Sequence, residues 1–202
     1  VLEDNPFINA AILWVDNKLY HYNVATSLLS EALHTFSGGM PPSSVASDTD
    51  GTDLYFADGN ELYKLPMDGS ANASLLTTAA VGSELNKISL TTNRVVYIVS
   101  TLFSTMMGIE SVSKSGGDAT MLSPVAAEVV SVQVAGELVY YNRFSGTATG
   151  PVFGVINENG AGRAEIENAQ MSGFVYNSTQ GIGEFINERI IWVEGCSLTG
   201  CT

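Results

Sequence analysis

The sequence has few charged residues, and very few of them are basic. Charged residues fill 14% of its 202 positions, with 8 Lys and Arg against 21 Asp and Glu; an average soluble domain has about 25%. The net charge is −13, and the basic residues are scattered singly. These features exclude the clustered basic surface that nucleic-acid binding needs, and an anionic membrane would repel the chain. No apolar run approaches the roughly 18 residues of a membrane-spanning helix, so no membrane span is predicted.

Cysteine is nearly absent. Cys196 and Cys201 are the only two, and four residues lie between them. We expect a disulfide across the neck of this loop, which implies an oxidising, extracytoplasmic setting: periplasmic, cell-surface or secreted. Two free thiols are the alternative. A metal site would need about two further ligands nearby, and a thioredoxin-type motif has two intervening residues rather than four.

The sequence also lacks the common signatures of catalysis. His21 and His34 are its only histidines, and it contains no Gly-x-Ser-x-Gly motif to carry a serine nucleophile. His21, which stands between two tyrosines in a predicted strand, is interpreted as structural. The glycine-rich segments lack the Lys-Ser/Thr ending of a phosphate-binding loop. We therefore assign no catalytic residue and no cofactor.

The sequence does contain a repeat. A short apolar stretch centred on a large aromatic residue recurs, with spacings of 41, 42, 43 and 52 residues. The aromatic residues are Trp14, Tyr55, Tyr97, Tyr140 and Trp192. Between them lie further short apolar pieces, bounded by Gly, Asn, Asp or Ser and rich in β-branched and aromatic residues, which is typical of strands. Helical spacing is not sustained anywhere, and the best helix candidate is the short segment 28–33.

Four short strands in a period near 42 residues predict an all-β fold, a β-propeller of four-stranded blades. One such sheet cannot bury both of its faces alone, so neighbouring blades pack face to face. We expect the repeated aromatic residues to fill equivalent gaps between blades. The chain is interpreted as a single domain or segment, 1–202, with repeats near 5–42, 43–84, 85–128, 129–170 and a partial repeat at 171–202.

Two segments carry a family resemblance. The sequence DLYFAD at 53–58, followed by LYKLPMDG at 62–69, resembles the bacterial propeller repeats of the TolB, NHL and Tyr-Trp-Thr-Asp type, and ILWVD at 12–16 is similar to the same motif. The resemblance implies a six-bladed propeller that binds proteins, glycans or small ligands. It also implies that the innermost strand precedes the aromatic one, so that segments 45–48, 87–90 and 130–133 would line a central channel.

The repeats amount to about four and a half blades, whereas a propeller normally closes its ring, usually with 4–8 blades. Six blades at this period need roughly 250 residues. We therefore expect a segment of a longer chain; an open ring completed by another chain is the alternative. The longest spacing indicates an insertion near 170–188, which could be a binding loop or a tolerated insertion without function.

One acidic segment resembles a calcium loop. Asp48, Asp50 and Asp53 supply several carboxylates within a short loop, as hard cations require. The order of an EF-hand is not met, because Gly follows the second Asp. The repeat already accounts for a polar turn at this place. These three residues are therefore secondary calcium candidates, and no metal site is assigned.

The expected function is a non-catalytic, extracytoplasmic binding or scaffold module that uses the propeller loops or channel to bind a protein or glycan. Two alternatives stay open. The chain could be the propeller portion of a larger hydrolase or peptidase, or a structural subunit of a surface assembly or filament formed from identical copies. The fold alone does not decide between them.

Overall fold

The computed structural model describes residues 10–38, 46–101, 107–145 and 151–166, together with the pairs 196–197 and 200–201. Regular structure in these ranges is antiparallel β-sheet, and they contain no helix. The segment 28–33, the best helix candidate, lies in a strand. The described parts of the repeats thus fold as strands, as their short, β-branched and aromatic pieces predict.

The first two blades follow the chain order. The first blade is a three-stranded sheet of β1 (Ala10–Val15), β2 (Lys18–Asn23) and β3 (Leu28–Thr35). The second is a four-stranded sheet of β4 (Ser47–Thr49), β5 (Asp53–Asp58), β6 (Glu61–Pro66) and β7 (Ser74–Thr78). In the second blade the aromatic strand β5 therefore lies between the inner strand β4 and β6, as predicted.

The third and fourth blades share one sheet. Its strands are β8 (Ser83–Leu90), β9 (Arg94–Thr101), β10 (Met107–Ser113), β11 (Thr120–Ala135), β12 (Leu138–Ser145), β13 (Pro151–Asn157) and β14 (Ala164–Ile166), adjacent in chain order. The 16-residue β11 pairs with β10 through its first half and with β12 through its second half. It is therefore the outer strand of the third blade and the inner strand of the fourth.

The continuity of β11 corrects the sequence prediction, which divides the chain here into separate repeats at 85–128 and 129–170. Between Leu122 and Val130 there is no Gly, Asn or Asp, and Ser123 and Pro124 stay within the strand. Register shifts between Met107 and Glu110 and between Val129 and Ser131 interrupt the pairing on either side of the strand. Such β-bulges bend a sheet without ending the strand. A separate two-stranded sheet consists of β15 (Cys196–Ser197) and β16 (Gly200–Cys201).

The apolar core consists of three layers, each between two successive blades. We call the side of a blade that faces the preceding blade its leading face, and the opposite side its trailing face. The leading faces contribute Phe56, Tyr97 and Tyr141 from the second strand of each blade and Leu65, Val112 and Ile156 from the third. The trailing faces contribute Leu19, Leu62 and Ile109, and from the outer strands Leu33, Leu76 and Leu122. The layers repeat in composition because each blade presents the same two faces.

Candidate functional site

The repeated aromatic residues do not all occupy equivalent gaps, so that expectation is wrong. Tyr55 and Tyr97 belong to the same apolar layer, between the second and third blades. Tyr55 lies on a trailing face and Tyr97 on a leading face, because the two motifs are offset by one residue and neighbours in a strand point to opposite sides. The structural counterparts of Tyr97 are Phe56 and Tyr141.

The remaining aromatic residues of the repeat are Trp14, Tyr140 and Trp192. Trp14 stacks on Phe36 with ring centroids 4.7 Å apart. Tyr140 is buried beside Tyr141 in β12, and the two neighbours face opposite sides of the strand. Trp192 lies outside the described residues. Tyr55 and Tyr97 thus serve packing between blades.

The three aspartates considered for calcium are directed to different partners. Asp48 accepts a hydrogen bond from the Leu90 amide at 3.1 Å, across the gap to the next blade. Asp53 forms an ion pair with Lys64 at 2.8 Å. No group of three or more potential metal-ligating side chains occurs in the described part of the chain. The aspartates connect elements of the sheet instead of converging on a common point.

Asp50 is the centre of a polar network between the second and third blades. Its Oδ2 accepts from the Tyr55 hydroxyl at 3.2 Å and from Lys114 Nζ at 3.1 Å, and its Oδ1 accepts from the amides of Thr52 and Asp53. Burial alone would raise the pKa of Asp50, but the hydrogen bonds from Asp53, Lys114 and Thr52 outweigh it and lower the pKa to about 2. The carboxylate therefore stays ionised and holds Lys114 of the next blade.

A second network joins the third and fourth blades around a buried carboxylate, Glu158. Its side chain accepts from the Asn93 amide and from Asn93 Nδ2, and its carbonyl accepts from the Ser111 hydroxyl at 2.6 Å. Arg94 Nε donates to the same Ser111 hydroxyl at 2.9 Å. Burial acts to raise the pKa of Glu158, but hydrogen bonds from Thr91 and Asn93 lower it overall. This network fixes the turn after β13 to the turn before β9.

The first and second blades are joined by a histidine–aspartate pair. His34 Nε2 lies 3.1 Å from Asp58 Oδ2, and the Ser37 amide and hydroxyl also donate to the Asp58 carboxylate. The His34 ring lies 4.5 Å from the Tyr63 centroid and 4.9 Å from that of Phe56. The serine and histidine both bind the aspartate rather than each other, so the geometry is not that of a hydrolytic triad, in which histidine stands in the middle.

Three turns that contain glycine follow β6, β10 and β13, and each of them lies against the preceding blade. A Cβ at Gly69 would come within 2.5 Å of the His21 ring, which is thereby placed as a packing residue, as the sequence suggested. The corresponding contacts are a hydrogen bond from the Gly117 amide to the Leu76 carbonyl at 3.3 Å and the approach of Gly160 to Thr120. Glycine is needed at Gly69 and Gly160 both for positive φ and for this close approach.

The leading face of the fourth blade carries a cluster of two arginines, a tyrosine and a glutamate. The Tyr141 ring crosses Gly154, its partner on β13, and its hydroxyl donates to Glu165 Oε1 at 2.5 Å. Arg143 Nη2 donates to both oxygens of Glu165. Arg163 donates to Glu165 Oε1 at 2.6 Å from Nη2 and to the Tyr141 hydroxyl at 3.1 Å from Nε.

The protonation states within this cluster are fixed by its contacts. Burial and the hydrogen bond to Glu165 raise the pKa of Tyr141 to about 12, so its hydroxyl stays neutral. Burial acts to raise the pKa of Glu165, but hydrogen bonds from Tyr141 and Arg163 lower it overall. One carboxylate thus faces two guanidinium groups. The only sequence signal for this cluster is a glutamate between the apolar residues Ala164 and Ile166.

A β-bulge interrupts the inner strand of the third blade at Lys87. Pairing between β8 and β9 shifts between Asn86 and Ile88, and Lys87 has a φ of 41°. A positive φ at a residue other than glycine costs of order 1 kcal/mol. The Lys87 side chain is exposed, yet desolvation by the surrounding protein lowers its pKa.

The leading face of the first blade is exposed. Leu13 is 37% exposed, whereas its counterparts Phe56, Tyr97 and Tyr141 are 1%, 0% and 1% exposed. Val15, on the same face of β1, is 47% exposed. In the described blades that follow, this face is covered by the leucine and isoleucine side chains of the preceding trailing face.

The cysteine pair lies at the end of the chain. The backbone register of β15 and β16 sets Cys196 opposite Cys201; their side chains lie outside the described ones, so the disulfide stays a prediction. The insertion near 170–188 also lies outside the described residues. None of the described residues belongs to a helix that could span a membrane.

Comparison with known proteins identifies the fold. No protein-family model and no curated protein matches the chain. A prolyl endopeptidase structure aligns with 74% of this chain at a TM-score of 0.50 and 16% identity. The fold is that of a β-propeller. The predicted fold class and the resemblance in fold are therefore confirmed.

Two further solved structures are similar at lower TM-scores. A TolB protein from Agrobacterium tumefaciens aligns with 78% of this chain and 57% of its own at a TM-score of 0.46 and 16% identity. An oligogalacturonate lyase in complex with manganese aligns with 73% of this chain and 41% of its own at a TM-score of 0.45 and 15% identity. This propeller chain spans 23% of the prolyl endopeptidase chain.

Proposed function

We propose that the chain is a non-catalytic binding module of an extracytoplasmic protein, and that the leading face of its first blade is a protein-binding surface. The observation that supports this is the exposure of Leu13 at a position where Phe56, Tyr97 and Tyr141 are buried. Removing a large apolar side chain from water contributes about 1.5–3 kcal/mol. The equivalent face is buried in the later blades, so this exposed face is expected to bind a complementary surface.

The partner is expected to be a further blade-like sheet. The counterpart positions are covered by trailing faces that present a leucine or isoleucine from the third strand and a leucine from the outer strand, as Leu62 and Leu76 do for Tyr97. A sheet with aliphatic side chains at these two places would fit Leu13 in the same way. A flexible polar ligand such as a glycan would leave the apolar side chains in contact with water.

The polar clusters support the non-catalytic part of the proposal. Asp50, Asp58 and Glu158 each accept a hydrogen bond from a donor on a neighbouring blade, so their carboxylates hold blades together. Ser37 donates to Asp58 and has no contact with His34 that would make it a nucleophile. The register of Cys196 and Cys201 supports the extracytoplasmic part, because directly opposed cysteines are well placed for a disulfide.

Chemical labelling at position 13 tests the binding surface. Leu13→Cys and the control Leu75→Cys, an exposed leucine on the outer strand β7, are each made in a Cys196→Ser, Cys201→Ser background. Maleimide labelling is compared between the 202-residue chain and the full native protein from its own cells. We expect position 13 to be protected in the native protein and position 75 to react in both.

Equal labelling of both positions in the native protein would overturn the proposed surface. If position 13 stays protected from maleimide when the native protein is diluted, the covering blade belongs to the same polypeptide. If dilution removes the protection, the covering blade belongs to a separate polypeptide. The non-catalytic part is tested by a hydrolase screen of the native protein. Turnover that a single substitution within the described blades abolishes would contradict it.

A further inference from the structure

Charge does not balance in the Tyr141 cluster of the fourth blade. The other ion pairs of the described residues match one cation with one carboxylate, as in Lys64 with Asp53 and Lys114 with Asp50. Here Arg143 and Arg163 share the single carboxylate of Glu165. Because Tyr141 is neutral, the described side chains of the cluster carry one more positive charge than negative charge. In a chain with a net charge of −13 and few basic residues, this local excess is unusual.

Hydrogen bonding in the cluster is also unbalanced. Glu165 Oε1 already accepts from Tyr141, Arg143 and Arg163. Arg143 Nε is buried and has no acceptor. A buried N–H group without an acceptor costs about 1–3 kcal/mol, and more when it belongs to a charged group. The missing element is therefore an acceptor that carries negative charge.

Solvent can reach this place. The Arg163 side chain is 35% exposed, while those of Arg143 and Glu165 are 15% and 20% exposed. A ligand can thus approach the cluster from the side of Arg163. The guanidinium group offers its donors in a planar fork that matches a carboxylate.

We propose that Arg143 and Arg163 form a binding site for one carboxylate group, in addition to Glu165. A singly charged carboxylate neutralises the excess of one positive charge and supplies the acceptor that Arg143 Nε lacks. A phosphate dianion would instead leave an excess of negative charge. The site lies on the fourth blade and does not depend on the proposed binding surface at Leu13, so either proposal can fail without the other.

The Nε–H resonances of the arginines give a direct test by NMR in the unmodified protein. The Arg143 signal is assigned by its loss in Arg143→Lys. Sodium acetate is then titrated against sodium chloride and sodium phosphate at matched ionic strength. We expect a saturable shift of the Arg143 signal with acetate, and only a linear drift with chloride.

Variants separate a built site from general electrostatic attraction. In Arg143→Lys, acetate binding is followed through the Arg163 signal, and in Arg163→Gln it is followed through the Arg143 signal. Each variant is expected to weaken acetate binding at least about tenfold, because each removes one charge-assisted hydrogen bond. Lys18→Gln removes the same charge from the first blade and is expected to leave binding unchanged. No acetate-specific shift, tighter binding of phosphate than of acetate, or equal weakening by Lys18→Gln would each overturn the proposal.

Discussion

His34 in the first blade and Asp58 in the second are joined across 3.1 Å, with only 10% and 8% of their side chains exposed. The rings of Phe36, Phe56 and Tyr63 surround the imidazole. The pair therefore forms a polar link between two blades inside an aromatic layer. Because the carboxylate is enclosed, it depends on His34 and Ser37 for its hydrogen bonds.

Replacing His34 by leucine should destabilise the chain. His34→Leu keeps an apolar side chain in the aromatic layer but leaves Asp58 without one of its donors, which costs about 1–3 kcal/mol. Urea denaturation of His34→Leu, Asp58→Asn and the double variant measures the coupling. We expect a coupling free energy of about 0.5–3 kcal/mol. Strictly additive single changes would show that the two side chains do not interact.

Gly154 is expected to tolerate no side chain. A Cβ there would overlap the ring of Tyr141, which crosses it on the way to Glu165. Overpacking of this kind typically costs about 1–3 kcal/mol, so Gly154→Ala should lower the thermal midpoint. Gly38→Ala is the matched control, because nothing lies within 4 Å of a Cβ at Gly38. Equal midpoints for the two variants would contradict the contact.

Asp50 should make the fold sensitive to acid. Its carboxyl pKa is about 2 in the folded chain and near 3.9 in an unfolded one. The depressed pKa means that Asp50 contributes stability above about pH 4, and that this contribution is lost as the pH falls from about 4 to about 2. Asp50→Asn should therefore be less stable than the parent at neutral pH. The difference in free energy of unfolding should vanish near about pH 2.

The control for Asp50 is Asp118→Asn, which removes an exposed carboxylate with no ion pair among the described residues. Free energies of unfolding in urea, measured over a pH series, should converge for parent and Asp50→Asn as the pH falls. A constant difference at all pH values would show that Lys114 and the backbone amides do not hold the carboxylate.

The fold was accessible from the sequence because a β-blade is encoded locally. Strand length, turn residues and the period near 42 residues are all readable from the chain, and they gave the four-stranded sheet of the second blade. The side that each aromatic residue faces was not readable. A shift of one position exchanges the two faces of a strand, so Tyr55 and Tyr97 looked equivalent in the motif although they face each other's blade.

The polar sites were hidden for a different reason. Asp58 meets His34, and Glu158 meets Asn93, across gaps between blades, so their separations along the chain carry no pattern. Arg143 and Glu165 lie two strands apart in the fourth blade, and the Tyr141 ring crosses Gly154 to reach the same glutamate. The boundary between the third and fourth blades was also missed, since β11 continues through Ser123 and Pro124 without a turn and so belongs to both blades.

Cys196 and Cys201 should be joined in protein isolated without reductant. Their opposed register on β15 and β16 brings the two backbones to the separation that a disulfide spans. Intact-mass measurement before and after reduction should show a gain of two hydrogen masses. The Cys196→Ser variant should show none. An unchanged mass in the parent, with both thiols alkylated directly, would contradict the bridge and remove one support for an extracytoplasmic setting.

The shared strand β11 has a consequence for how the molecule comes apart. Its 16 residues hydrogen-bond to β10 on one side and to β12 on the other, and Ala127 pairs with both neighbours. Opening either blade therefore strips hydrogen bonds from the same strand. The third and fourth blades should behave as one cooperative unit in native-state amide exchange, with matched protection factors along β9 to β13. In force spectroscopy they should rupture in a single event, whereas the second blade, a separate sheet, can give way on its own.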